Sequence, residues 1–225
     1  IGAAATCAAL CIDEVVGRRY RCLTDGVSLI GGRAIQERAT IGGNLCNAAP
    51  SADAIPPLIV LNAVCNIVGP EGPRTLPVED LCVGPGATAL KRAEILVGIV
   101  VPVPAPHAEA SYLRFTPRHE MDIAVAGAAA AITLNDRGDR IENARIALSA
   151  VGPTPLVADN AAKNLIGKAP CPTSFEDAGV DAAALSDPIS DVRGPASFRR
   201  HMIKVLTVRA LSVALDRFQR QGGEG

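Results

Sequence analysis

The residues best equipped for chemistry form one run, Thr40-Ile41-Gly42-Gly43-Asn44, followed nine residues later by Asp53. Adjacent glycines let backbone N–H groups approach an anion with no Cβ in the way, the arrangement that cradles phosphates. Thr40 adds a hydroxyl and Asn44 an amide donor. Asp53 is placed to open a helix, where it can cap the first turn or accept hydrogen bonds from the hydroxyls of a sugar or polyol. Taken by themselves, these residues read more simply as a tight turn with a capping Asp.

The commoner nucleotide and catalytic motifs are missing. No G-x-G-x-x-G opens a helix after a strand, and no Gly-Lys-Ser/Thr, G-x-S-x-G, H-E-x-x-H or EF-hand loop occurs. The three histidines, His107, His119 and His201, are far apart in sequence, and His107 in the proline connector and His201 on the long helix read as surface or packing residues. The seven cysteines never form a C-x-x-C pair. They read as reduced, mostly buried thiols, which predicts a cytoplasmic compartment and no metal or iron–sulfur site held by this chain alone. With no side-chain acid or base in evidence, the chemistry is expected to come from a bound cofactor.

The elements that must carry this run are set by 225 residues, enough for one large domain or two small ones. A hydrophobic share of 48% and a charged share of 20% predict a globular core. The 22 basic and 23 acidic residues are interspersed, so no basic stripe is available for nucleic acid. Aromatic residues are only 3% of the chain, too few for a base-stacking platform. The longest nearly apolar stretch, Ile123 to Leu134, is far short of the roughly 20 residues that cross a bilayer.

Thr6 is placed to cap a first helix that runs to Val16, and residues 30–47 read as a glycine-punctuated turn region. Asp53 to Ala63 predicts a short helix with Pro56 and Pro57 in its first turn. Val64 to Gly69 and Ile95 to Val103 predict strands. Pro102, Pro104 and Pro106 form a stiff connector, which divides the chain into residues 1–104 and 105–225. Beyond it, Ser111 to Thr116, Ile123 to Leu134 and Ile141 to Val151 predict strands, the last two forming an antiparallel hairpin across the turn Asn135 to Arg140. Leu156 to Leu165 and Phe175 to Leu185 are helical, and Ser197 starts the longest helix, running toward Phe218. Its apolar stripe of Phe198, Met202, Val205, Leu206 and Val213 is interrupted by Arg209.

Several blocks in order resemble the FAD-binding medium subunits of molybdenum hydroxylases, above all those of bacterial xanthine dehydrogenases, with carbon monoxide dehydrogenases as cousins. The blocks are Thr40 to Asn44 with Asn47 to Asp53, Gly84-Pro85-Gly86, Glu94-Ile95-Leu96 and Met121-Asp122-Ile123-Ala124. Ala144 to Leu148, Pro153-Thr154-Pro155 and Phe198-Arg199-Arg200 agree with the family's C-terminal part. The resemblance implies an α+β fold: an FAD-binding domain of the vanillyl-alcohol-oxidase type over 1–104, then an α+β domain of antiparallel sheet and helices over 105–225.

It also implies that this chain holds FAD. A large subunit would carry the molybdenum cofactor and a small subunit two [2Fe-2S] clusters, in a dimer of heterotrimers. Electrons would pass from the clusters to the flavin and on to NAD or another acceptor. Carried over by motif, Thr40, Gly42, Gly43 and Asn44 contact the FAD pyrophosphate and nearby ribityl oxygens, and Asp53 a ribityl or ribose hydroxyl. Ile41 and Cys46 lie near the flavin ring, and Leu96 approaches it through its backbone. Arg114 falls where relatives often place a Lys at the flavin's pyrimidine edge, and a permanent cation there would raise the flavin potential.

Relatives carry a first glycine-rich phosphate loop upstream of the block that Ile1-Gly2-Ala3-Ala4 resembles, so the chain is expected to be the downstream part of a longer subunit without its N-terminal subdomain. Cys46 is followed directly by Asn47 with no inserted cysteines, so no [4Fe-4S] cluster of the kind held by a related reductase branch is expected. Two other readings remain open: a flavin-free scaffold that docks partner subunits, and a stand-alone flavin oxidase of the same fold.

Overall fold

Thr6 caps the first helix, α1 (Cys7–Ile12), by accepting the Ala9 N–H at 3.2 Å. The helix predicted to reach Val16 is two helices, because Asp13 leaves helical geometry at φ −71° and ψ 123°. Its own N–H closes α1, and its Oδ1 accepts the Val16 N–H at 2.9 Å to cap α2 (Glu14–Arg19). A side chain that can cap a new helix competes well with continuation of the old one. Helices α3 (Arg21–Val27) and α4 (Arg33–Gln36) follow. The computed structural model describes residues 1–118 and 121–222.

The Thr40 to Asn47 stretch, expected to be a turn, folds as helix α5 (Ile41–Asn47). The Thr40 hydroxyl accepts the Gly43 N–H at 3.0 Å, and this cap offsets the helix cost of two glycines. Gly42 is needed for packing, since a Cβ there would lie 2.6 Å from Ala3 Cβ and 2.7 Å from Ala3 O. The prolines fall in the first turn of α6 (Ile55–Val60), as expected.

A first antiparallel sheet has the order β2-β1-β5, from β1 (Val64–Gly69), β2 (Gly72–Pro77) and β5 (Ile95–Val100). Ile1 to Ala3 extends it along the outer edge of β5, through Ile99 N–H to Ile1 O at 2.8 Å and Ala3 N–H to Val97 O at 3.1 Å. β2 and the short pair β3 (Cys82–Gly84) and β4 (Ala87–Thr88) were not expected. Pro73 and Pro77 break the apolar alternation that marks a strand, and they are tolerated because β2 is a sheet edge. The entry to β5 is fixed by Glu94, whose carboxylate takes both Arg74 Nε and Nη2 at 2.7 Å and the Lys91 N–H at 2.6 Å. These partners hold the Glu94 carboxyl down at about 2.

The second sheet, β6-β7-β8-β9, is built from β6 (Ala108–Phe115), β7 (Ala126–Leu134), β8 (Ile141–Ser149) and β9 (Leu156–Val157), all antiparallel. The hairpin predicted from Ile123 to Val151 forms its centre as β7 and β8, with β7 starting three residues later and β8 ending two earlier than expected. Ala126, Ala128, Ala130 and Ile132 face one core with α9 (Ala196–Gly222), whereas Ala129 faces the other core with α6. Alternation along the strand thus serves two cores, and alanines let both layers approach closely. The remaining helices are α7 (Asp159–Lys163) and α8 (Pro172–Leu185). Residues 156 and 157, expected to be helical, instead pair with β8.

Beyond the buried Arg199 in its first turn, the buried face of α9 is Ile203, Leu206, Thr207, Ala210, Leu211 and Ala214, rotated from the predicted stripe, and Arg209 lies outside it and is exposed. The large residues drew the expected stripe, but small ones fit against the alanines of β7. Near its C-terminal end α9 is tied to the first half of the chain. Arg217 forks onto Asp25 at 2.8 and 2.9 Å and donates to Ala110 O at 2.6 Å, while Asp25 Oδ2 accepts the Tyr112 N–H.

Among the described residues, no helix is long and apolar enough to cross a membrane, and no three His, Cys, Asp or Glu side chains are grouped to hold a metal ion. Burial raises the thiols of Cys7, Cys11, Cys22, Cys46, Cys65 and Cys82, whereas hydrogen bonding with Ser174 lowers that of Cys171. The thiolate is the nucleophile. Cys171 is therefore expected to be alkylated first by iodoacetamide near neutral pH; peptide mapping that finds Cys11 or Cys46 modified ahead of it would contradict this.

Candidate functional site

The structure links the motif residues into one row. Asn44, in α5, accepts the Ala54 N–H through Oδ1 at 3.3 Å, which fixes the start of α6 and the Asp53 beside it. Asp53 does not cap α6. Its Oδ2 takes Arg114 Nη1 at 2.5 Å, and its Oδ1 takes the Tyr112 hydroxyl at 2.8 Å. Tyr112 Oη in turn lies 3.2 Å from Ser149 Oγ. The side chains of Arg114 and Asp53 are only 5% and 8% exposed.

The strand register builds this cluster. Arg114 on β6 pairs with Gly127 on β7, which pairs with Ser149 on β8. Tyr112 sits two residues along β6 from Arg114 and therefore on the same sheet face. Its ring crosses over Gly127, where a Cβ would fall 2.3 Å from Ser149 Oγ and 2.6 Å from Tyr112 Oη. Burial pushes the Asp53 carboxyl up to about 6, against the opposing pull of Arg114 and of the Tyr112 hydrogen bond. Burial likewise raises the Tyr112 hydroxyl, with the neighbouring Asp53 charge adding to it.

The other expected site residues are arranged differently. The N–H groups of Ile41 and Gly42 donate to Ala5 O and Ala3 O, and that of Gly43 donates to Thr40 Oγ1. The amides expected to cradle an anion are thus engaged within the chain. The Ile41 side chain is fully buried, and Cys46 packs on the same core, close enough to Cys65 and Cys82 to raise their thiols. Both side chains pack toward the core, because α5 presents that face to β5. Leu96 also buries its side chain and leaves only its backbone for a ligand.

Tyr112, Ser149 and Gly127 were not foreseen. Tyr112 is one of two tyrosines in the chain and sits in an apolar strand, where a buried hydroxyl requires a partner.

The groups left without partners in this row are donors. Asn44 Nδ2 and the remaining guanidinium nitrogens of Arg114 have none among the described residues, and Gly43 is exposed beside them. Both Asp53 oxygens are taken. Such a donor set fits an oxygen-rich, polyanionic ligand, and FAD is one.

Fold and site together place the chain in a defined class. Residues 1–104 match the family described as the FAD binding domain in molybdopterin dehydrogenase, and residues 111–214 match the CO dehydrogenase flavoprotein C-terminal domain. The chain belongs to this family of FAD-binding subunits, components of molybdenum-hydroxylase oxidoreductases.

Among individual relatives, it is 34% identical over 218 residues to the xanthine dehydrogenase FAD-binding subunit of Escherichia coli O157:H7, covering 96% of this chain and 73% of that one. It is also 34% identical to the carbon monoxide dehydrogenase medium chain of Afipia carboxidovorans, over 96% of this chain and 74% of the relative. The structure of reconstituted CO dehydrogenase from Oligotropha carboxidovorans superposes with a TM-score of 0.91 at 33% identity, covering 96% of this chain and 75% of the solved one. Quinoline 2-oxidoreductase from Pseudomonas putida 86 gives 0.89 at 28% identity, over 97% and 75% of the two chains.

Proposed function

We propose that this chain carries FAD as the electron-transfer subunit of a molybdenum hydroxylase, with the flavin bound along the row Thr40, Gly43, Asn44, Asp53, Leu96 and Arg114. The observation that carries this reading is the linked cluster of Asn44, Asp53, Tyr112 and Arg114, whose open groups are all donors. Bound there, FAD supplies the redox chemistry that the side chains lack, by taking up and passing on electrons.

Each residue then has a task. Asn44 and Arg114 donate hydrogen bonds to the ligand, Gly43 gives it close access, and Thr40 holds the turn that presents them. Ile41, Gly42 and Cys46 support the row from behind. Asp53 anchors Arg114 and sets its orientation. Because Arg114 is paired, its field is partly cancelled while Asp53 is ionised and is expressed in full when Asp53 is protonated.

The chain is read as two units, residues 1–104 and 105–225, working with a large molybdenum-cofactor subunit and a small [2Fe-2S] subunit in the cytoplasm as a dimer of heterotrimers. NAD is a candidate acceptor.

The test is spectroscopic. The purified assembly is expected to show flavin absorption bands, and Arg114→Ala is expected to lower the flavin midpoint potential, more so below pH 6 than above it. Absence of flavin from the assembly would favour the scaffold reading. An unchanged potential in a flavin-loaded variant would remove Arg114 from the site.

A further inference from the structure

A second cavity, separate from the Asp53 cluster, opens around the proline connector. Its volume is about 240 Å³, and its walls come from Arg19 to Cys22, Val60 to Asn62 at the end of α6, Pro102 to Ala105, and the strands β6, β7 and β8. Asp53 precedes the first turn of α6, whereas this cavity lies at the helix's far end, roughly 9 Å away along a six-residue axis. Ligand sites for larger molecules run from about 300 Å³ upward, so this cavity is sized for a small metabolite.

The charged groups on its wall are three arginines and one carboxylate, beside the neutral polar side chains of Tyr20, Asn62, Thr133 and Asn143. Arg19 and Arg21 line it and form no ion pair among the described residues. Arg145 also lines it and pairs through Nη2 with Glu79, but its Nε is buried with no hydrogen-bond partner. That nitrogen has no solvent-accessible surface, so the cations most open to a ligand are Arg19 and Arg21. Glu109 is the one carboxylate among the lining residues, so the wall is net positive.

The apolar part of the lining is built mainly of small or compact residues, among them Pro102, Pro104, Ala131 and Ala144. A free phosphate would leave that surface uncovered. A carboxylate on a compact apolar body satisfies both parts of the wall, because a guanidinium edge matches carboxylate geometry and the alanines and prolines accept a flat ring.

We infer that this cavity is a binding site for a small aromatic monocarboxylate, held by Arg145 and Arg21 at the carboxylate and by the connector and β-sheet alanines at the ring. Such a ligand touches both the connector and the second sheet, so its binding couples the two halves of the chain. The inference does not depend on flavin binding.

The test is calorimetric titration of the full chain, as purified, with benzoate, with benzamide as the neutral isostere and with inorganic phosphate. Benzoate is expected to bind saturably at one site per chain and raise the melting temperature, while benzamide and phosphate bind at least about tenfold more weakly. Arg21→Gln is a half-buried substitution outside both cores and is expected to weaken benzoate about tenfold without changing the melting temperature of the ligand-free chain. Arg145→Gln is expected to do the same to affinity even if it alters stability. No saturable benzoate binding, equal binding of benzamide or phosphate, or undiminished affinity in both arginine variants would overturn the assignment.

Discussion

Gly127→Ala is expected to destabilise the protein by on the order of 3–5 kcal/mol, although it adds a single methyl group to a strand whose backbone tolerates alanine. The added carbon would lie 2.3 Å from Ser149 Oγ and 2.6 Å from Tyr112 Oη, well inside contact distance. Neither neighbour can yield cheaply. Both are buried, and Tyr112 is fixed by its hydrogen bond to Asp53. Displacing the ring would leave the tyrosine hydroxyl and the Asp53 carboxyl short of a partner in a dry site, so an overpacking cost is joined by a hydrogen-bond cost. For a chain of this size the melting temperature should fall by roughly 10 °C.

A double variant separates the two parts. Ser149→Ala removes the nearer obstruction, so Gly127→Ala combined with Ser149→Ala should recover part of the loss and depart from additivity. A single Gly127→Ala variant that melts within about 2 °C of the parent, under 1 kcal/mol for a chain of this length, would show that the cluster is not rigid.

The same cluster shows what could be read from sequence and what could not. The α+β class, the central hairpin, β1 and the proline-led start of α6 follow from local rules of turn chemistry and alternation, and the structure contains them. The run from Thr40 to Asp53 stood out in the sequence as a candidate site because its residue types and spacing are unusual. Its conformation was not, since glycine content argues for a turn while the Thr40 cap and the contact of Gly42 with Ala3 favour a helix. That second contact joins residues far apart in the chain, and no local pattern encodes it.

Arg114 illustrates the same boundary. The resemblance suggested a cation facing a ligand, and the structure pairs it with Asp53, 61 residues away. Gly127 and Ser149 were invisible for a simpler reason. In an alanine-rich strand pair a glycine and a serine look like more small residues, and only the register β6-β7-β8 reveals that they make room for the Tyr112 ring. The buried face of α9 was misjudged on similar grounds, because large residues attract attention while Ala210 and Ala214 share a buried core with the alanines of β7.

Asp53→Asn should change the stability of the protein in a pH-dependent way whose sign follows from burial. The Asp53 carboxyl is raised from 3.8 to about 6 in the folded chain. The folded state therefore holds a proton that the unfolded state has released across the intervening range. Its contribution is fully present below about pH 4 and is lost as pH rises through 6, a total of about 3 kcal/mol. Roughly 1.4 kcal/mol of that loss falls between pH 5 and 7. The introduced amide is a neutral mimic of the protonated acid and does not titrate. Whatever fixed cost the variant carries from leaving Arg114 without a counter-ion, the difference between variant and parent should move in the variant's favour by that amount from pH 5 to 7.

Arg114→Gln should act in the opposite sense. With its counter-charge gone, Asp53 holds its proton to higher pH, and the loss of stability extends further above pH 6. Denaturant titrations of the parent and both variants at several pH values measure these slopes directly. A variant-to-parent difference that stays flat from pH 5 to 7 for Asp53→Asn would mean that the Arg114 guanidinium compensates the burial of Asp53 completely, and that the pair is a permanently ionised strut instead of a titrating one.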